Sequence, residues 1–588
     1  VNADGSLVPA ASFRVADWVV DPKACRLIRG ADEIPVRPLL VDLLALLASR
    51  PGEVVTKDEI LERVWQGRFL CDSVLTRTMT ELRHVLQDSA VKPAIIETIR
   101  KRGYRLIAAV SGLLPAPRAR LAVLPFENLN RDAELDFFAA GVADALTTEL
   151  GNIASLQVIS RQSVLAVARS GTALPEIARR LRVDAVLEGS ALQAGERVRI
   201  TAQLVRTEPE RHVWAQSYVA DMKDILELQG RVARAVAEAV EAALTPSEVA
   251  RLSRPRPIHP EAQLAYLKAR YHAARWDREG LEKGLAFAQK ALQIDPSCAP
   301  AYVLVGYGLT VLGYWCHLPV EVAYPRAREA ASRAIQLDGS LGEAHAILGL
   351  MQWLMHWDFD GCDKEMRTAL DLNPSSEIVH GFYALFLAVS RDAPEEAERH
   401  AQQMLDLDPL SMSTNFFVGW LRFFCGNFEG AIEQARHTLA MYPDCLHANY
   451  VLGWAALGLG RPVDAVAAFR DATALERHVV SVAYLATALG RAGERDEARE
   501  LLAELMARAG SDHVPAFLLA LVHGGLGETD TALGLLTRCY EVRDSRTFWF
   551  RRAPIGSPLL ADGRFRDLLR RVDEAARSYQ PLAAPDEA

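Results

Sequence analysis

The sequence predicts a multidomain chain: a small α+β unit, then an α/β unit, then an all-α array of repeated helix pairs. Three observations predict it. An amphipathic helix and a basic β-hairpin occupy Phe69 to Val110, strands alternate with helices from Leu121 to Leu244, and a period near 34 residues runs from about Gln263 to Asp544. At 588 residues the chain is too long for one hydrophobic core, so about three to five units are expected. Half of the residues are hydrophobic, enough for each unit to bury a core.

In the first unit, Phe13 to Val36 alternates short apolar runs with turn residues, as a small antiparallel sheet does. Leu39 to Ala48, behind Pro38, is a compact apolar helix. Thr56 to Trp65 starts on a Thr cap and turns Ile60, Leu61 and Val64 inward. Leu75, Met79, Leu82 and Leu86 recur at offsets of four, three and four, which places them on one face of a third helix. Asp72 or Ser73 offers a capping oxygen, and Arg77, Thr80, Glu81 and His84 face away from the apolar stripe. After a loop marked by Asp88 and Pro93, Ile95, Ile96, Thr98 and Ile99 form one strand. Arg100, Lys101 and Arg102 lead to Gly103, and Tyr104, Leu106 and Ile107 return as the second. A helix with a free polar face beside a hairpin with a cationic tip suits DNA reading.

This arrangement resembles the OmpR-type winged-helix domain, and more closely its CadC and ToxR branch. The carrying residues are Val64-Trp65, Asp72-Ser73-Val74-Leu75-Thr76, Glu81-Leu82-Arg83 and Arg102-Gly103-Tyr104-Arg105, in order over residues 12–110. The resemblance implies that the third helix lies in the major groove and that the wing reaches the minor groove or backbone. It makes Arg77, Thr80, Arg83 and His84 candidate helix contacts, Thr76 a phosphate ligand, and Arg100, Lys101, Arg102 and Tyr104 wing contacts. Arg pairs bidentately with guanine and Thr reaches bases or phosphate, so the residue types suit the task. For Arg83, which follows the apolar Leu82, pairing with a carboxylate inside the domain stays open.

The net charge of −9 argues against nucleic acid only when averaged over the chain. Residues 1–110 hold 16 Lys and Arg against 14 Asp and Glu, about +2, leaving about −11 for the rest. The eight cysteines are scattered without a CxxC pair or metal-type spacing, so reduced thiols in a cytoplasmic protein are expected, with no metal and no cofactor. No stretch approaches the about twenty apolar residues of a spanning helix, so no membrane partner is expected, unlike CadC and ToxR themselves. Without an initial Met, residue 1 is not expected to be the biological start.

After a linker at 111–120, residues 121–250 read as strand (121–129), helix (136–150), strand (156–160), helix (174–181) and strand (185–191). Strands at 198–206 and 212–219 and a long helix at 226–244 follow, an α/β or α+β unit with a largely buried sheet. It resembles the FlgO-like or TolB N-terminal-like domain through Val123-Leu124-Pro125-Phe126, Gly141 to Leu150, Leu187-Glu188-Gly189-Ser190 and Arg199 to Leu204. A class III nucleotide cyclase would need metal-binding carboxylates just after a core strand. Pro125-Phe126 follow Val123-Leu124 instead, Asp136 and Asp144 suit a helix start and surface, and no Walker A, HExxH or GxSxG sequence occurs. No catalytic residue is expected.

A linker at 251–262 precedes the array, 263–544. Ala327, Cys362, Ala397, Ala431, Ala465, Ala498 and Ala532 recur at spacings of 35, 35, 34, 34, 33 and 34, the period of a tetratricopeptide repeat. ALQIDP, AIQLDG, ALDLNP, MLDLDP and TLAMYP end second helices in register, and Gly426, Gly460, Gly493 and Gly527 mark turns. Gly284 takes the small-residue position 43 residues before Ala327, so Trp315 to Tyr324 is expected to hold an extra loop. Tyr307, Tyr314, Trp315, Trp353, Trp357, Phe382, Phe386, Trp420 and Phe424 fall largely on first helices, with core positions expected ahead of ligand contact. Residues 545–580 read as capping helices.

The expected function is a cytoplasmic transcription regulator that binds double-stranded DNA and whose repeats receive a protein or ligand signal, with RNA polymerase or another protein as partner. If two copies pair, half-sites one helical turn apart are expected. The alternatives are an interaction scaffold whose winged helix does not bind DNA and, further off, a nucleotide-using enzyme.

Overall fold

The computed structural model describes residues 13–21, 25–29, 32–48, 50, 52, 54–64, 72–89, 92–99, 102–108, 110–111, 119–130, 136–168, 173–208, 210–240, 242, 244–253, 259–273, 278–509, 513–551 and 559–577. They form two compact units, Val1–Arg118 and Ala119–Ala588.

The first unit runs β1 (Phe13–Val15), β2 (Trp18–Asp21), β3 (Arg26–Arg29), β4 (Asp32–Pro35), α1 (Pro38–Ala48), β5 (Val54–Thr56), α2 (Lys57–Val64), α3 (Asp72–Leu86), β6 (Ile96–Ile99), β7 (Gly103–Leu106) and β8 (Val110–Ser111). One antiparallel sheet has the order β4-β3-β2-β1-β8 and a second the order β5-β7-β6. Helix α1 is apolar on nearly every side, and Leu43 to Ala48 are all buried, so it forms the centre of the unit. Ile60, Leu75, Met79, Leu82 and Leu86 close on it. The Thr56 hydroxyl accepts from the Glu59 amide at 3.3 Å, the expected cap of α2. Trp65, the expected end of that helix, and the capping side chains of Asp72 and Ser73 lie outside the described residues.

The second unit opens with β9 (Ala119–Val123), β10 (Glu127–Asn128), α4 (Asp136–Gly151), β11 (Leu156–Val158), α5 (Arg161–Ala168), α6 (Leu174–Leu181), β12 (Ala185–Ala194), β13 (Arg197–Thr207), β14 (Glu210–Asp221), α7 (Ile225–Ala239) and α8 (Pro246–Leu252). The sheet order is β11-β9-β12-β13-β14, parallel across β11, β9 and β12 and antiparallel beyond. The expected largely buried sheet is corrected here. Val198, Ile200, Ala202 and Leu204 of β13 point into the core, Arg197, Arg199 and Thr201, which alternate with them, are exposed, and most of β14 is exposed. Antiparallel hairpins leave one face to water, whereas parallel crossovers cover both. Helix α5, unforeseen in the sequence, follows β11 directly. The expected 251–262 linker begins in the end of α8 and reaches the first helix of the array.

Among the described residues that array holds eight helix pairs: Pro260–Ala273 with Arg278–Ile294, Ala299–Tyr314 with Val320–Leu337, Gly342–His356 with Phe359–Leu372, Glu377–Phe386 with Pro394–Leu407, Met412–Phe424 with Phe428–Met441, Leu446–Gly458 with Pro462–Leu475, Val479–Ala492 with Arg495–Arg508, and Ala516–Gly525 with Thr529–Glu541. Ala327, Cys362, Ala397, Ala431, Ala465, Ala498 and Ala532 are all 0% exposed, which lets neighbouring helices approach closely. Gly426, Gly460, Gly493 and Gly527 take φ between +70° and +92°, as the turn between paired helices requires. Trp357 and Asp392 accept φ of +58° and +54° at the same turn of pairs 3 and 4. The expected extra loop is half helical. Only Trp315 to Pro319 is loop, and the second helix of pair 2 starts at Val320 and carries Pro325 inside it.

Pair 1 packs onto α4, where a Cβ on Gly141 would lie 2.5 Å from Leu267 Cδ2. At the far end the chain turns back through a short 3-10 turn, Thr547–Arg551, before the last helix, Gly563–Arg577. Phe548 packs on Trp357 and Phe359 with ring centroids 4.8 and 5.4 Å apart, and Trp549 on Tyr314 and Phe424 at 5.8 and 5.2 Å. Arg546 donates to the carbonyls of Gly313 and Tyr314 at 3.2 and 3.0 Å. Trp315, Trp353, Trp357, Phe386, Trp420 and Phe424 are accordingly core residues.

Among the described residues no helix is long and apolar enough to cross a membrane, and no three His, Cys, Asp or Glu residues converge as a metal site. The described cysteines are free thiols, and burial pushes Cys298 and Cys539 up to about 12.

Ala465→Leu places a larger side chain where no space remains, and should destabilise the array by about 1–3 kcal/mol, read as a lower thermal midpoint. Val463→Ala on the same helix, 72% exposed, should change stability by less than about 0.5 kcal/mol.

Candidate nucleic-acid interface

Helix α3 divides its residues sharply. Leu75, Thr78, Met79, Leu82, Arg83 and Leu86 are buried, while Thr76, Arg77, Thr80 and His84 are exposed along the opposite side. The Thr80 hydroxyl donates to the Thr76 carbonyl at 2.8 Å, which leaves its oxygen lone pairs turned outward. Glu81 is taken up by Arg37, whose Nε reaches its Oε1 at 2.9 Å, so its negative charge is neutralised on the flank of the outward face. Arg77 and His84 make no hydrogen bond or ion pair among the described residues.

The end of α3 is fixed by the N-terminal sheet. Trp18 Nε1 donates to the Leu86 carbonyl at 3.1 Å, Arg29 lies 4.4 Å over the Trp18 ring, and Arg29 also donates to Gln87 Oε1 at 2.6 Å. Gln87 itself adopts a left-handed conformation, φ +55°, as a helix C-terminus commonly does.

The wing is the β6–β7 hairpin, with Thr98 opposite Tyr104 and Ile99 opposite Gly103. Gly103 is obligatory: an added Cβ would stand 1.9 Å from the Val55 carbonyl oxygen of β5. Arg102 is exposed at the tip, its amide donating to the Ile99 carbonyl at 3.0 Å. Arg100 and Lys101 lie outside the described residues. Glu97 and Arg105 pair across the strands at 2.5 Å.

Two expected contacts are corrected. Arg83 is only 8% exposed, and its Nη2 donates to the Ile96 carbonyl and to Thr98 Oγ1, each at 2.8 Å, with Nε 3.9 Å from Asp88. Tyr104 is 5% exposed, in the core beneath the Arg83 guanidinium. Both residues hold the wing against α3 rather than facing outward. The helical phase explains it for Arg83, which lies one turn beyond Met79 and so falls in the seam between helix and hairpin, not on the exposed stripe.

Asp88 was legible only as a loop marker, yet its carboxylate organises this seam. It accepts from the amides of Ala94, Ile95 and Ile96 at 2.8, 3.1 and 2.8 Å and is itself fully buried. Three backbone donors and a guanidinium nearby compensate the burial of the charge.

Residues 31–106 match the family described as transcriptional regulatory protein, C terminal, and residues 117–235 the HilA/YgeH-like transcriptional regulator, second domain. The chain is 36% identical over 98 residues to the transcriptional activator CadC of Escherichia coli, covering 16% of this chain and 19% of CadC. It is 21% identical over 422 residues to the transcriptional regulator HilA of Salmonella typhimurium, covering 69% and 72%. It is also 30% identical over 248 residues to a putative adenylate cyclase 3 of Rhizobium meliloti, covering 42% of each. The chain thus spans less than half the length of the cyclase and CadC relatives.

Asp88→Ala should release the start of the wing. The amides of Ala94, Ile95 and Ile96 should exchange with solvent deuterium roughly a hundredfold faster, the effect of losing about 3 kcal/mol of local protection. Unchanged exchange would show that the carboxylate does not anchor the hairpin.

With the wing, its helix and the second unit in place, the matches give residues 31–106 as a domain of the transcriptional regulatory protein C-terminal family and residues 117–235 as a HilA/YgeH-like second domain, followed by an array of paired helices with a 34-residue period.

Proposed function

We propose that this chain is a cytoplasmic, sequence-specific DNA-binding transcription regulator without catalytic activity, whose repeat array receives a protein or ligand signal. The carrying observation is the outward face of α3, Thr76, Arg77, Thr80 and His84, within residues that match a regulator family. In this reading Arg77 and His84 contact base edges, Thr76 and Thr80 contact phosphate or bases, and Arg100, Lys101 and Arg102 of the wing contact the backbone or minor groove. Arg83 and Tyr104 support the wing from inside.

The organisation that accompanies this reading is a DNA reader at 12–110, an α/β unit at 121–250, repeats at 263–544 and capping helices at 545–580. RNA polymerase or another protein would be engaged through the array, and a pair of copies would read repeated half-sites.

The relative named adenylate cyclase supports a second reading, a nucleotide-using α/β unit. Two observations favour the first. Pro125 and Phe126 follow β9 where acidic metal ligands would be needed, and the Asp144 carboxylate is held by Arg270 at 2.5 Å.

Genomic fragments selected by the full chain should include recurrent sites that an Arg77→Ala/Arg102→Ala variant loses. Arg102→Ala alone should weaken binding similarly across sequences and reduce the slope of log affinity against log salt by about one. Recovery of unselected, salt-labile DNA alone would favour the scaffold reading, and purine triphosphate turnover by the full chain would favour the enzyme.

A further inference from the structure

A cavity of about 280 Å³ opens between the α/β unit and the repeat array. Helix α4 and the start of α5 form one side, and the first helices of pairs 1 to 5 form the other. Tyr307, Phe382 and Phe417 supply aromatic wall, with Ile347 and Met404 beside them. The space suits a small molecule rather than a peptide.

The polar groups in this wall are unequally satisfied. Arg270 is fully engaged, with Asp144 at 2.5 Å, Thr148 Oγ1 at 3.0 Å and the Tyr266 hydroxyl at 3.1 Å. Glu343 accepts from Asn373 Nδ2 at 2.7 Å. Glu377, in the first turn of its helix, differs: its carboxylate has no side-chain partner among the described residues and bonds its own backbone amide. The charges that act on it most strongly, Asp408, Glu343 and Asp144, are negative. Burial and these neighbours raise its carboxyl above the ordinary carboxylate range, which favours its neutral form. A half-buried acid whose strongest electrostatic neighbours are acids, beside an open volume with aromatic walls, suits a cationic group.

The geometry points to this cavity as a binding site for a small organic ammonium, its charged nitrogen on Glu377 and its apolar body against Tyr307, Phe382 and Phe417. Binding would ionise Glu377, form a charge-assisted hydrogen bond and bridge the α/β unit to the array. Arg161, on the α5 side of the same cavity, has no partner among the described residues and can take the carboxylate of a ligand that is also an acid. Amines and amino acids share the ammonium chemistry and differ at Arg161. This deepens the signal-receiving role proposed above, but the binding test uses no DNA, so either reading can fail while the other stands.

The test is calorimetric titration of the full chain at pH 7 with phenethylammonium, phenylalanine, 3-phenylpropionate and 2-phenylethanol, in two buffers of different ionisation enthalpy. Phenethylammonium should bind with net proton release, because Glu377 passes toward its charged form, whereas the neutral alcohol and the anion should not bind. Glu377→Gln, which keeps the shape of the side chain, should weaken binding at least about tenfold and abolish the proton release without lowering the thermal midpoint. If phenylalanine binds more tightly than the amine and loses that advantage in Arg161→Gln, the ligand class is an amino acid; if the amine binds more tightly, it is a simple amine. No binding of either ammonium compound, equal binding of the alcohol, or binding unchanged in Glu377→Gln would overturn the assignment.

Discussion

The Asp408 carboxylate, 1% exposed, joins the α/β unit to the repeats, and the shape of the second unit depends on it. It accepts from the Ser163 hydroxyl at 2.7 Å, the Ser163 amide at 3.2 Å and the Thr414 hydroxyl at 2.9 Å. Around it the Ser160 amide donates to the Leu407 carbonyl at 2.8 Å, and the Leu410 amide to Ser163 Oγ at 2.7 Å. Burial raises this carboxyl above its ordinary range, and the hydroxyls of Ser160, Ser163, Thr414 and Ser411 act against the rise. A charge so enclosed tolerates little displacement, since losing a donor leaves it desolvated without compensation. The start of α5 is thereby fixed against pairs 4 and 5.

The same position has a humbler role elsewhere. Asp295 and Asp338 end the second helices of pairs 1 and 2, where each accepts from the hydroxyl two residues on, Ser297 at 2.6 Å and Ser340 at 2.7 Å. These are local turns near the surface. At pair 4 the repeat has Leu410 in place of that serine, and the acceptor turns to Ser163 of another element. A repeated capping residue has become a joint between two folds, and the neighbouring Ser375, donating to the Leu156 carbonyl at 3.2 Å, makes the matching contact one repeat earlier.

Apolar surface is handled by a comparable return of the chain on itself. First-helix aromatics of a repeat array would otherwise leave large ring faces to water, and here Phe548 and Trp549 cover those of pairs 2, 3 and 5. Arg546 anchors the return, and although burial alone would lower its pKa, the Cys316 and Asp544 groups around it raise it overall. In the first unit, Asp88 and Arg83 perform the analogous task on a smaller scale, tying a hairpin to the helix that precedes it.

Much of this was legible in sequence because it repeats or alternates. The 34-residue period fixed the small residues of the helix pairs, the offsets of Leu75, Met79, Leu82 and Leu86 fixed the buried face of α3, and Gly103 announced the tight hairpin. Tyr104 reads as a wing contact, and Arg83 as either a DNA contact or a partner of an internal carboxylate, because polarity and basicity describe a side chain, whereas facing depends on what packs beside it; the structure takes the internal alternative for Arg83, beside Asp88. The half-exposed sheet was misread because strand composition does not say which strands run parallel. Local periodicity and residue chemistry therefore determined the elements and the outward face of α3. Only the tertiary structure decided that Asp408 meets Ser163 across 245 positions of chain, that Phe548 returns to Trp357, and that Glu377 is left facing a cavity. Such contacts arise from the path of the chain in space, which no short window of sequence records.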